Sequence, residues 1–260
     1  MTNLHNQLKV ALVQADTRYD EVSGNLAMLE EMLESVVEEA DIYLLPELFN
    51  TGYQNAFTTK PEAMGLASSK WMSLMARRKN AAICGSVSIL EGGSVFNRML
   101  FALPEGGFLY YDKQRVFKFS GEHKVFTSGN SSTNWEFRGW RIKPIVCFDL
   151  RFPELSRNLT PYYDLLLCSA HWPKPRIMAW DKLLQARAIE NQCFVAAVNR
   201  YGVEGQAQYP GHSVGIDFEG YEKTLCGDSA EIQVAVFDKD ALNSFRSSFP
   251  FLPDKGLSGI

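Results

Sequence analysis

Apolar residues along this chain occur in two kinds of pattern, short unbroken runs and stripes that recur every three or four positions among charged residues. The runs predict buried strands: LKVALVQAD (8–16), DIYLLPE (41–47), 164–169 and 193–199. The stripes predict amphipathic helices over 25–39, 69–79 and 177–192. In the first, Leu26, Leu29, Met32, Leu33, Val36 and Val37 share a face beside glutamates. The segment 81–113 reads as three strands joined at EGG and PEGG turns, and 132–148 as a strand pair turning at Arg138-Gly139. Further strands follow across 212–237. No linker, repeat or low-complexity tract divides this alternation. It predicts one α/β domain over 1–260, with two sheets covered by helices.

Composition narrows the setting. The chain has 260 residues, 46% hydrophobic and 22% charged, with a formal net charge of −4. No basic run suggests a nucleic-acid partner, and no apolar stretch is long enough to cross a bilayer. The polar start, MTNLHNQLKV, does not resemble a signal peptide, so a cytoplasmic protein is expected. Cysteines 84, 147, 168, 193 and 226 lie far apart without a CxxC pair. Histidines 5, 123, 171 and 212 form no i, i+4 pair. Neither a disulfide framework nor a metal site is expected, and no cofactor is implied.

Chemistry-bearing residues stand where three apolar strands end. Glu47 leaves the strand in LLPELFNTGY, Lys113 lies in YYDKQRVF with Glu122 after it, and Cys147 lies in IKPIVCFDLRFPEL. Taken singly, these fit a helix-start charge, a solvated lysine and a packed core thiol. Taken together, they supply a base, a cation and a nucleophile. A thiol is mostly protonated at neutral pH and needs a base to attack a carbonyl carbon. No histidine stands in a Cys-His arrangement, which leaves Glu47 for that task. An ammonium would stabilise the oxygen charge that develops during attack.

These stretches resemble the nitrilase, or carbon-nitrogen hydrolase, superfamily. PELFNTGY, YDKQRVF, CFDLRFPEL and QARAIENQCFVAAVNR follow the family's order over nearly the whole chain. The resemblance implies a four-layer α-β-β-α sandwich and a Glu-Lys-Cys triad of Glu47, Lys113 and Cys147. It places the family's second glutamate at Glu122, positioning water or holding Lys113. Cys147-Phe148-Asp149 replaces the Cys-Trp-Glu typical of nitrile-cleaving members, and the wording is most similar to that of bacterial ω-amidases. The implied substrate is a small carboxylate-bearing amide such as 2-oxoglutaramate or 2-oxosuccinamate, opened through a cysteine thioester. Deaminated glutathione and carbamoyl amino acids are alternative substrates, and a catalytically silent binding protein is the alternative of another class.

The backbone N–H of Phe148 is expected to bind the oxyanion beside Lys113. His171, Trp172 and Arg176 follow another apolar strand and are candidates for the pocket lining. Arg176 is the candidate for the substrate carboxylate, with Arg200 in reserve. Phe117 and Trp172 fit pocket walls or core aromatics equally well. Arg151 and Glu154 are expected to form ion pairs behind the nucleophile. The other four cysteines read as structural. The resemblance also implies a homodimer through a helix layer, with SSFPFLPDKGL (247–257) crossing to the partner.

Overall fold

The computed structural model describes residues 6–53, 60–131 and 133–252. The apolar runs form strands β1 (Gln7–Gln14), β2 (Ile42–Leu44), β3 (Ala82–Glu91), β4 (Ser94–Ala102), β5 (Phe108–Asp112), β6 (Trp135–Phe137), β7 (Trp140–Val146), β8 (Leu165–Ala170) and β9 (Phe194–Asn199). A hairpin follows, β10 (Tyr201–Glu204) and β11 (Ala207–Pro210), and then β12 (Val214–Ile216), β13 (Glu222–Leu225) and β14 (Glu231–Asp238). The helices are α1 (Val22–Ser35), α2 (Ala67–Lys79), α3 (Pro153–Ser156), α4 (Ile177–Asn191) and α5 (Lys239–Ser248).

Two six-stranded sheets result, in the orders β14-β1-β2-β3-β4-β5 and β13-β12-β9-β8-β7-β6. Each is built around three parallel strands, β1-β2-β3 or β7-β8-β9, with antiparallel strands outside them. Both faces of the parallel strands are covered, which is why the sequence shows unbroken apolar runs there. On β1, Leu8, Val10 and Leu12 join the core between the sheets, while Ala11 and Val13 face α1 and α2. Phe237 of β14 adds to the same side, and Trp140, Ile142 and Phe194 complete the inter-sheet core from the second sheet. Trp180, Leu184 and Ala188 of α4 cover the outer face of the second sheet. This is the expected α-β-β-α sandwich.

Three elements depart from the sequence expectation. Helix α1 begins at Val22 rather than 25, so Asn25 lies inside it. From there its amide binds the Arg18 N–H and the Arg18 and Asn50 carbonyls, tying two loops together. The helix ends at Ser35; Val36 is extended and Val37 is exposed, because Leu29 and Leu33 already supply its buried face. The hairpin β10–β11 belongs to neither large sheet. Helix α5 follows the strand pattern of the tail. The Asp238 carboxylate caps it by accepting from the Asp240 and Ala241 N–H groups, and Phe245 stacks on Phe218 at 4.7 Å. Of the segment proposed to cross to a partner, 253–257 lies outside the described residues.

Candidate active site

Each of the three strand ends is fastened by its own backbone bonds. Beyond β2, Leu45 N–H donates to the Cys84 carbonyl at 2.7 Å, continuing the pairing to β3. After Pro46-Glu47 the chain reverses, with Leu48 at φ 45° and its N–H donating to Ser86 Oγ at 2.8 Å. Lys113 follows β5; its N–H donates to the Asn97 carbonyl, and its own carbonyl accepts from Gly129 N–H, both at 2.9 Å. A side chain at position 129 would strike the Asp112 carbonyl, so the approach of these two loops requires glycine.

Cys147 stands where β7 turns into a 3-10 turn (Cys147–Arg151), and its φ is 47°. The buried Asp149 carboxylate holds that turn. It accepts from Val146 N–H at 3.0 Å, Arg115 N–H at 2.8 Å and Tyr111 O–H at 2.9 Å. Burial raises its pKa from the ordinary 3.8 to about 6, against the opposing pull of Lys113 and these three donors.

The four candidate catalytic side chains meet. Lys113 Nζ donates to Glu47 Oε1 and to Glu122 Oε1, each at 2.8 Å. Asn97 Nδ2 donates to Glu47 Oε1 at 2.8 Å, and the His171 N–H to Glu47 Oε2 at 3.0 Å. The Cys147 thiol donates to the His171 carbonyl oxygen at 3.9 Å, and the Glu47 charge lies close enough to act on it. Glu122 also accepts the Phe117 N–H, so it ties the following loop to the ammonium.

Electrostatics follow from burial. Burial works against the Lys113 charge, but the Glu122 and Glu47 carboxylates outweigh it and hold the ammonium well above its ordinary range. Burial, then the Glu47 charge, pushes the Cys147 thiol well up, and Lys113 only partly offsets them. The resting thiol is therefore protonated. Burial and the charges of Arg200 and Lys113 keep His171 neutral.

A cavity of about 570 Å³ opens above Cys147 and Lys113. Phe117, Phe148, Trp172 and Arg176 all line it, together with His171, Tyr53, Arg151, Lys174 and, from the β10–β11 hairpin, Tyr209. Phe117 and Phe148 pack together at 4.8 Å between centroids. Trp172 is wall and core at once: buried, with its Nε1 donating to the Arg176 carbonyl at 2.8 Å.

The expectation for Arg151 is overturned. Its guanidinium lies 4.7 Å from the Trp172 ring in the cavity wall and pairs with no carboxylate among the described residues. Glu154 pairs instead with Arg115, at 3.1 Å. Arg176 stands over the Phe117 ring at 5.5 Å, also without a carboxylate partner among the described residues. Burial and the neighbouring Arg176 charge both weaken Arg151's hold on its proton, a sign that the two cations face one space. The reserve candidate, Arg200, is fully buried and committed to Asp16 at 2.8 Å and Glu204 at 3.2 Å. Cysteines 84, 168, 193 and 226 are buried and free.

Asn97, Asp149 and Tyr209 were not singled out by the sequence. Asn97 and Asp149 do carry a signal, each sharing an otherwise apolar run with a single arginine, VFNRMLFA or CFDLRF. Tyr209, in a polar hairpin, carries none.

Comparison with known proteins gives a consistent picture. The family model for carbon-nitrogen hydrolases matches residues 9–246. The chain is 40% identical over 259 residues to omega-amidase YafV of Escherichia coli, covering 95% of this chain and 96% of that protein. It is 33% identical over 249 residues to 2-oxoglutaramate amidase of Bacillus subtilis, covering 94% and 96%. Among solved structures, XC1258 of Xanthomonas campestris, a CN-hydrolase superfamily protein with an arsenic adduct in its active site, superposes with a TM-score of 0.93. It is 40% identical, over 97% of this chain and 99% of that one.

Proposed function

This chain belongs to the carbon-nitrogen hydrolase family, and on that premise we propose that it cleaves the terminal amide of a small 2-oxo acid, 2-oxoglutaramate or 2-oxosuccinamate, through a thioester on Cys147. One observation carries the reading. The same cavity has Cys147 and Lys113 at its floor, with Glu47 bonded to Lys113 behind them, and two guanidiniums in its wall without carboxylate partners among the described residues. The floor suits an amide and the wall suits a carboxylate. The relatives named omega-amidase and 2-oxoglutaramate amidase support the same substrate class.

In this mechanism Glu47 takes the Cys147 proton as Sγ attacks the amide carbon. The oxygen charge falls to the Lys113 ammonium and the Phe148 backbone N–H. Glu47 returns the proton to the departing ammonia, leaving the acyl group on sulfur. Glu47 then deprotonates a water that opens the thioester, releasing the 2-oxo dicarboxylate. Glu122 holds Lys113 between the two carboxylates. Arg151 and Arg176 take the substrate carboxylate, whose planar oxygens match guanidinium donors.

The homodimer belongs to the same proposal. Met178 and Ile189 of α4 and Phe249 beyond α5 are 74%, 49% and 57% exposed, an apolar surface on the helix layer suited to a second copy.

Ammonia release from 2-oxoglutaramate tests the activity, with Cys147→Ala as the inactive control and intact-protein mass reporting the acyl-enzyme. Arg151→Ala and Arg176→Ala should each lower kcat/KM for 2-oxoglutaramate about tenfold or more relative to pentanamide, which has no carboxylate. Equal losses on both amides would remove the arginines from the substrate site.

A further inference from the structure

Among the polar groups of the cavity lining that the chemistry above leaves unused is the Tyr209 hydroxyl. Tyr209 is held firmly: its ring lies 4.7 Å from the Arg200 guanidinium and 5.8 Å from the His171 imidazole. Arg200 is itself fixed by Asp16 and Glu204, so the ring is clamped at the base of the hairpin. The side chain is buried and lines the cavity, and its hydroxyl makes no hydrogen bond among the described residues.

Most of the neighbouring polar groups are committed; the exceptions among the described residues are the amide of Gln206, exposed at the hairpin tip, and His171 Nδ1, buried without a partner. Lys113 serves Glu47 and Glu122; the Tyr53 hydroxyl pairs with Ser120 Oγ at 2.8 Å; Trp172 Nε1 donates to the Arg176 carbonyl. Gln208 Oε1 accepts from Lys174 at 3.3 Å, and the His171 ring faces Thr17 at 3.4 Å.

A 2-oxo acid amide presents three polar groups in a row. The amide belongs over Cys147 and the carboxylate between Arg151 and Arg176. The oxo oxygen, an acceptor beside the carboxylate, remains. We propose that Tyr209 is the specificity-determining residue that donates its hydroxyl hydrogen to the 2-oxo oxygen, so that the site distinguishes 2-oxo acid amides from plain dicarboxylic monoamides. This rests on the substrate reading above. The donor is neutral and its ring is pre-positioned, so the bond forms without reorganising the pocket.

The test compares 2-oxoglutaramate with glutaramate, the same chain without the oxo group, by ammonia release. Wild type should favour 2-oxoglutaramate in kcat/KM. Tyr209→Phe, which keeps the ring and its stacking, should reduce that preference about tenfold, as loss of one hydrogen bond implies. Tyr209→Phe should melt at the wild-type temperature, which excludes a packing defect. An unchanged preference in Tyr209→Phe, or no preference in wild type despite turnover of both, overturns the role of Tyr209 and leaves the amidase reading standing. Release of ammonia from neither compound by wild type overturns the substrate reading and this inference with it.

Discussion

A single ammonium, Lys113, separates two buried carboxylates, Glu47 and Glu122, at the cavity floor. Lys113→Met removes the oxyanion's cation and leaves both acids buried together. Turnover should fall about 10²–10³-fold, comparable to loss of an oxyanion donor. The stability cost should be about 3 kcal/mol or more, as for a broken buried ion pair. Steady-state ammonia release and urea unfolding read the two effects, and near-normal turnover would return Lys113 to a structural role. Asp149 offers a pH-dependent counterpart. Its folded pKa of about 6 exceeds the ordinary 3.8, so between these values the folded chain holds the proton more tightly than the unfolded chain. Its contribution to stability therefore declines as pH rises through that window and levels off above about 6. Asp149→Asn abolishes this dependence. The difference in unfolding free energy, variant minus wild type, should move about 2–3 kcal/mol in the variant's favour from pH 4 to pH 7. A flat difference would show that Asp149 does not titrate there. The amide also sets its NH2 against either the Arg115 or the Val146 N–H, which bind different oxygens of the carboxylate, and the misplaced turn should cost about tenfold in kcat.

At the scale of elements, the junction between β7 and the 3-10 turn is strained, with Cys147 at φ 47°. An L-residue pays for that conformation, whereas glycine adopts it freely. Cys147→Gly should accordingly be more stable than Cys147→Ala by about 1 kcal/mol, both being inactive. Equal midpoints in urea would show that the turn relaxes when the sulfur is removed. This junction was legible in the sequence, because an apolar run ends abruptly in charged residues at Cys147. So was the β6–β7 turn, where Arg138-Gly139 takes φ 48° and 81°. Arg151 was misread for a physical reason. Three residues separate it from Glu154, the spacing of a helical ion pair, but Phe152 is extended and Pro153 starts α3, so the two side chains diverge. The β10–β11 hairpin escaped because YGVEGQAQYP packs against no sheet face and so shows no apolar alternation. Helix α5 escaped because its one buried residue, Leu242, is too little for a stripe. The cavity wall built on that hairpin could be found only in three dimensions.

For the molecule as a whole, the exposed apolar side chains of the helix layer predict a dimer in sedimentation equilibrium. Ile189→Asp with Phe249→Asp should shift it to the monomer mass, whereas a wild-type monomer would remove the proposal. The last strand of the second half has a different effect. β14 leaves its neighbours in sequence and pairs along β1, Gln7 against Asp238 through Gln14 against Glu231. The first sheet therefore cannot be completed until residues from beyond position 230 have left the ribosome. Glu47 and Lys113 emerge early, and Cys147 in mid-synthesis. Glu47 and Cys147 follow strands of different sheets, so the meeting of thiol and carboxylate is a product of the whole chain and of neither half alone.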